Sequence, residues 1–144
     1  MLYTPENPNI NIEKIQKYLE NIKLPEVTKE QNIQLTKPIT EQELGETIRQ
    51  TKNEKCPGSD GFTNEFYKEF QEEIIPLLCR VFNWALDNKE YAPTWNSAII
   101  TVIHKAGKDP ADCSSYRPIS LLNVDQKLLT SILANGLKTI TPNI

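Results

Sequence analysis

The chain has 144 residues, 38% of them hydrophobic and 24% charged, with a formal net charge of −3. That is enough for one domain with a modest core and too apolar for a disordered chain, while the acidic balance argues against a general polyanion binder. No stretch reaches the ~18 apolar residues of a membrane helix, and Met1-Leu2-Tyr3-Thr4-Pro5 lacks the basic-then-apolar order of a secretory leader; an intracellular location, nucleus or cytoplasm, with no membrane partner, is expected.

The first helix is expected from Asn11, a good N-cap, with Ile12, Ile15, Leu19 and Ile22 as its apolar stripe and Pro25 as its stop. Residues 25–38 read as a polar connector. Thr40-Glu41-Gln42-Glu43 is a capping box, flanked by Ile39 and Leu44 as a hydrophobic staple, and Leu44 and Ile48 share the face of the helix it starts. That helix should fade near Lys52-Asn53. Lys55-Cys56-Pro57-Gly58-Ser59-Asp60-Gly61 follows as a rigid double turn, in which the glycines allow positive φ and the close approach of another backbone. By composition alone it is only a turn.

A third helix should begin at Thr63, carry a wide core-facing stripe from Phe66 to Leu86, and kink or break near Ile75 because Pro76 lies inside it. After Trp95 the period changes. Ala98–Ile103 is short and β-branched, residues 106–115 are a polar turn, and Tyr116–Leu122 reads as a second strand. The pair predicts an antiparallel hairpin, with Pro118 at an edge and a bare edge that invites pairing with other chains. A last helix is expected, capped by Asn123 or Asp125, with Leu129, Ile132, Leu133, Leu137 and Ile140 on one face. Gly136 interrupts it and Pro142 ends it. The fold class expected is α+β.

Chemistry-bearing residues are few. Cys56, Cys79 and Cys113 are odd in number and widely spaced, so they read as free thiols rather than a disulfide framework or a zinc site, and His104 is the only histidine. Residues 1–96 carry 11 basic and 16 acidic groups, residues 97–144 five and three, so phosphate contacts are to be sought in the last third or at local loops. Lys105 and Arg117 bracket the predicted hairpin turn. A lysine point charge and an arginine fork on a stiff ribbon can grip a triphosphate, although two solvated charges beside a loop would look the same. Asp109 and Asp112 fall in a turn and Asp125 at a helix start. No Asp-Asp pair occurs, and two-metal nucleotidyl transfer needs converging carboxylates.

Three blocks in series carry a resemblance. KCPGSDGFTNEFY (55–67), the strand of Trp95–Lys108 running into HKAGK, and YRPISLLNVDQKLLTSILAN (116–135) together resemble the reverse transcriptases of non-LTR (LINE-type) retrotransposons. The likeness implies a right-hand polymerase, of which residues 1–53 would be a mostly helical N-terminal extension. Residues 54–144 would then be the N-terminal, fingers part of the reverse transcriptase domain, stopping before the palm. It implies that Lys105 and Arg117 face the triphosphate of the incoming dNTP. It also implies that Lys55, Pro57, Gly58, Asp60 and Gly61 lie near the RNA template. RNA template, DNA primer, dNTP and the palm of the same polymerase are the implied partners. The family's catalytic aspartates lie beyond this stretch, so no catalytic or metal-binding residue is expected here, and Mg2+ is expected only for the complete polymerase. One departure is Gly136, where the family usually has arginine. Two readings stand: part of an RNA-directed DNA polymerase, inactive by itself, or a non-catalytic relic of a decayed element with residual nucleic-acid or protein binding.

Overall fold

The computed structural model describes residues 12–20 and 26–141. Its secondary structure is α+β. Helices α1 (Ile12–Glu20), α2 (Lys29–Leu35), α3 (Glu41–Gln50), α4 (Asn64–Glu69) and α5 (Gln71–Asn88) precede an antiparallel ribbon of β1 (Ile99–His104) and β2 (Tyr116–Leu121), and α6 (Val124–Ile140) follows it. Short 3-10 turns at Pro93–Asn96 and Cys113–Ser115 lead into the two strands. No helix among the described residues is long and apolar enough to cross a membrane.

The core is made where α3, α5 and α6 meet. Leu44 and Ile48 of α3, Phe82 and Ala85 of α5, and Val124, Leu128, Leu129 and Ile132 of α6 form one buried cluster with Ile39, Tyr67 and Trp95. The start of α3 shows why it begins at Glu41. The Thr40 hydroxyl accepts from the amide of Glu43 at 3.2 Å, and both staple residues, Ile39 and Leu44, are buried. Ile39 is also fixed from α5. Asn83 accepts from the Ile39 amide at 2.8 Å through Oδ1 and donates to its carbonyl at 2.9 Å through Nδ2. The Cys79 thiol donates to that same carbonyl at 3.1 Å.

Several expectations are corrected. Residues 25–38 are not only a connector, because α2 forms within them on a full capping box. Thr28 Oγ1 accepts from the Gln31 amide and the Gln31 side chain accepts from the Thr28 amide. The break in the third helix falls at Phe70 rather than near Ile75, and α5 runs through Pro76. Pro76 sits in the second turn, where its missing amide costs one bond and the rest of the stripe still packs on the core. In α6 the buried residues are Val124, Leu128, Leu129, Ile132 and Ile140. Leu133 and Leu137 of the expected stripe are exposed, and with Gly136, Leu35, Ile39 and Leu86 they line a groove of about 490 Å3 between α2 and α6. Asn11, Ile22, Pro25 and Pro142 lie outside the described residues.

The ribbon pairs Ile99 with Leu121 and His104 with Tyr116. Pro118, opposite Val102, is tolerated because a two-stranded ribbon has only edges. Neither face is covered: Ile100 is 70% and Ile103 50% exposed.

Candidate nucleic-acid interface

The loop after α3 is built around its two glycines. Gly61 has φ +79°, in the left-handed region, and its amide donates back to the Gly58 carbonyl at 3.3 Å. Asp60 closes an Asx turn by accepting from the Phe62 amide at 3.1 Å. Gly58 serves the other purpose. It is buried against the chain entering α6. A Cβ there would overlap Asn123 Oδ1 and lie 2.5 Å from the Asn123 nitrogen and 2.6 Å from the Leu122 carbonyl carbon.

That close approach docks the loop on the start of α6. Asn123 is the N-cap by position but makes no side-chain cap bond. Its Oδ1 instead accepts from Ser59 Oγ and from the Asp60 amide, each at 3.4 Å. Lys127, one turn into α6, donates to the Cys56 carbonyl at 3.5 Å. Tyr67 lies beneath the junction. Burial, then the charges of Asp125 and Asp60, push its hydroxyl up to about 12 against the opposing pull of a hydrogen bond with the Asp125 backbone. Asp125 Oδ2 accepts from Trp95 Nε1 at 2.7 Å, tying the approach to β1 to the same helix start. Sequence reasoning missed Asn123 as the partner of the loop, and Tyr67 and Trp95 as neighbours of Asp125 at the same helix start. Their only sequence signal was the burial-prone aromatic type of the last two.

On the ribbon, Arg117 sits on β2 opposite Ile103, and Lys105 follows the last residue of β1. Because directly opposed residues share a face, Ile103 and Arg117 belong to one face of the ribbon. Arg117 is exposed. Lys105 is tied to the returning turn, donating through its amide to the Ser115 carbonyl and through Nζ to the Ser114 carbonyl, each at 2.7 Å. Asp112 accepts from the Ser114 amide at 2.8 Å and hydroxyl at 2.6 Å. Those bonds, with Lys105 contributing, hold its carboxyl below the usual range. The structure thus brings Lys105 and Arg117 to the turn end of one ribbon and sets Gly58 and Asp60 at the start of α6. Of the loop residues, Lys55, Asp60 and Gly61 are exposed, Pro57 is half-buried and Gly58 is buried.

The carboxylates present do not fit a magnesium pair. Asp109 accepts from the Ala111 amide at 2.9 Å, Asp112 caps its own turn, and Asp125 is engaged by Trp95. Among the described residues no three His, Cys, Asp or Glu side chains converge. Cys56 and Cys113 are exposed free thiols; Cys79 is half-buried, and burial pushes its thiol pKa up.

No family model matches the chain. Its sequence is 31% identical over 142 residues to the RNA-directed DNA polymerase from mobile element jockey of Drosophila melanogaster, covering 95% of this chain and 14% of that protein. It is 36% identical over 104 residues to the "Probable RNA-directed DNA polymerase from transposon BS" of the same fly, covering 72% of this chain and 12% of that protein. It is 31% identical over 121 residues to the transposon TX1 uncharacterized 149 kDa protein of Xenopus laevis, covering 84% of this chain and 9% of that protein. The chain therefore spans about a seventh or less of the length of these relatives. Over that stretch, the chain is similar to the RNA-directed DNA polymerases of non-LTR retrotransposons.

Proposed function

We propose that this chain is the fingers-side portion of a retrotransposon reverse transcriptase, contributing nucleotide and template contacts but no catalytic carboxylate. In this reading Lys105 and Arg117 meet the triphosphate of the incoming dNTP. The loop from Lys55 to Gly61 presents its exposed lysine and backbone to the RNA template. What supports it is that Arg117 on β2 and Lys105 just beyond β1 both lie at the turn end of the ribbon, where an arginine fork and a lysine can engage the same phosphate chain. Docking of the loop on α6 supports the template role. It holds the stretch from Cys56 to Asp60, next to Lys55, near the short Leu122–Asn123 link between β2 and α6. Magnesium, a DNA primer and the palm belong to the complete polymerase.

A relic that retains only residual binding is the second reading, favoured by Gly136 in the interior of α6. Amide NMR spectra of the chain titrated separately with a dNTP and with a short single-stranded RNA distinguish the two. The dNTP is expected to shift residues 104–117, and Arg117→Ala with Lys105→Ala to remove that response. RNA is expected to shift residues 55–61, with an affinity that falls as salt rises. Shifts scattered over the surface, or indifferent to both substitutions, would overturn the proposal.

A further inference from the structure

A lysine grips phosphate poorly unless something holds it, because its ammonium hangs on a flexible four-carbon stem and ordering that stem costs rotamer entropy. In this chain Lys105 is already engaged. Its Nζ donates to the Ser114 carbonyl at 2.7 Å, and the residue is half-buried where Arg117 is exposed. An ammonium has three hydrogens, so two remain for a ligand.

The Ser114 carbonyl is itself held, by three bonds to Asp112. It shares a peptide unit with the Ser115 amide, which donates to the Asp112 carbonyl at 2.9 Å. On the other side of Ser114, the amide donates to Asp112 Oδ1 at 2.8 Å and the hydroxyl to Oδ2 at 2.6 Å. Both carboxylate oxygens are thus turned onto Ser114, and one residue orients the peptide on which Lys105 rests. The turn is also fastened without the Asp112 side chain. Tyr116 Oη donates to the Pro110 carbonyl at 3.0 Å with its ring edge-on to His104, and the Lys105 amide donates to the Ser115 carbonyl.

Two effects of opposite sign meet at Asp112. It is an anion near enough to Lys105 for the two charges to interact, so its charge repels an incoming phosphate. Its bonds preorganise the lysine that attracts one. Removing the side chain shows which effect wins.

We propose that Asp112 is a positioning residue for phosphate binding: through Ser114 it holds the Lys105 ammonium at one place on the turn, with two donors left for the phosphate oxygens of a nucleoside triphosphate. This rests on the nucleotide role of Lys105 proposed above.

Titration of the full chain with dATP, followed by amide and lysine side-chain NMR, tests it. Without ligand, the Lys105 ε-methylene should be ordered in the wild type and mobile in Asp112→Ala. With dATP, Asp112→Ala should bind about tenfold more weakly, the worth of ordering one long side chain, although it removes a negative charge. Asp112→Asn keeps an acceptor for the Ser114 amide and should bind at least as tightly as the wild type. In a Lys105→Ala background, Asp112→Ala should weaken binding no further. Amide exchange in β1 and β2 should match in every variant, which separates loss of position from loss of the ribbon. Binding by Asp112→Ala as tight as the wild type or tighter would overturn the proposal. So would an undiminished loss in the Lys105→Ala background, or a Lys105 side chain equally mobile with and without Asp112. Ordering of Lys105 that depends on Asp112, in a chain that gives no response to dATP, would keep the positioning and overturn the nucleotide role.

Discussion

Substituting Gly58 by alanine tests whether the loop is bolted to α6 as the structure shows. The new methyl would lie 2.5 Å from the Asn123 nitrogen and 2.6 Å from the Leu122 carbonyl carbon. Both are backbone atoms and cannot rotate aside. Relief requires the loop to lift from the start of α6, at an overpacking cost of about 2 kcal/mol. Lifting also loses the two 3.4 Å bonds to Asn123 Oδ1, long enough that about 0.5 kcal/mol each is appropriate. The total is about 3 kcal/mol, or a fall in Tm of about 10 °C for a chain of this size.

Gly61→Ala is the matched control. Gly61 has positive φ, which Gly58 does not, and nothing lies within 4 Å of its would-be Cβ. It should lose only about 1 kcal/mol for backbone strain, or about 3 °C. Adding Asn123→Gly to Gly58→Ala removes the side-chain overlap but neither backbone contact, so it should recover little. Thermal denaturation followed by circular dichroism reads all three. If Gly58→Ala melts no lower than Gly61→Ala, or if Asn123→Gly restores it fully, the docking geometry is wrong.

Gly136→Ala should stabilise the chain by about 1 kcal/mol, measured by urea denaturation, because a Cβ there meets only Leu35 Cδ2 at an ordinary 3.7 Å and alanine removes the helix-interior penalty; a loss of stability would mean the groove is tighter than described. Trp95→Phe should cost about 2 kcal/mol in the same assay, since it strips Asp125 of a charge-assisted bond of 2.7 Å, whereas a neutral result would remove that bond from the account. Gln126→Met should be neutral or slightly stabilising, because the buried Gln126 Oε1 has no hydrogen-bond partner. In an alkaline titration followed by phenolate absorbance, Tyr67 should ionise at about 12, above the ordinary 10.0. A raised acid pKa favours the neutral folded form, so the stability it contributes is complete below pH ~10 and is lost as pH rises through ~12. The late step should vanish in Tyr67→Phe, and its persistence would assign it to another tyrosine.

Local chemistry made much of this chain legible. The Thr40 N-cap, of whose expected box only the hydroxyl half forms, the change from helical to alternating period after Trp95, and the doublet of turn signals at Pro57–Gly61 each act within a few residues, so α3, the ribbon and the loop could be placed from sequence. The capping box at Thr28 was equally readable, yet α2 was passed over because its polar sequence shows no apolar stripe. Pro76 misled for a related reason: a proline weakens a helix locally, but packing of Phe82 and Ala85 on α3 and α6 decided where the break falls, and it falls at Phe70. The three blocks in series carried the resemblance to retrotransposon reverse transcriptases, and Lys105 and Arg117 could be set near the turn end of the ribbon from the strand bounds.

What no count along the chain could decide was the partner of each group. The glycines of the loop could be assigned to close approach and positive φ, but only the tertiary structure shows that Gly58 meets Asn123 and that Gly61 makes the turn. Asn123 has the sequence of an N-cap and is drawn away from that task by residues 63 and 64 positions earlier. Tyr67, Trp95 and Asp125 look like unrelated core and cap residues until folding brings them to one helix start. Backbone propensity and turn chemistry act over a handful of bonds and so are written in order. Burial, charge and close approach depend on which distant segments share a surface, and that is set by the packing of the whole core.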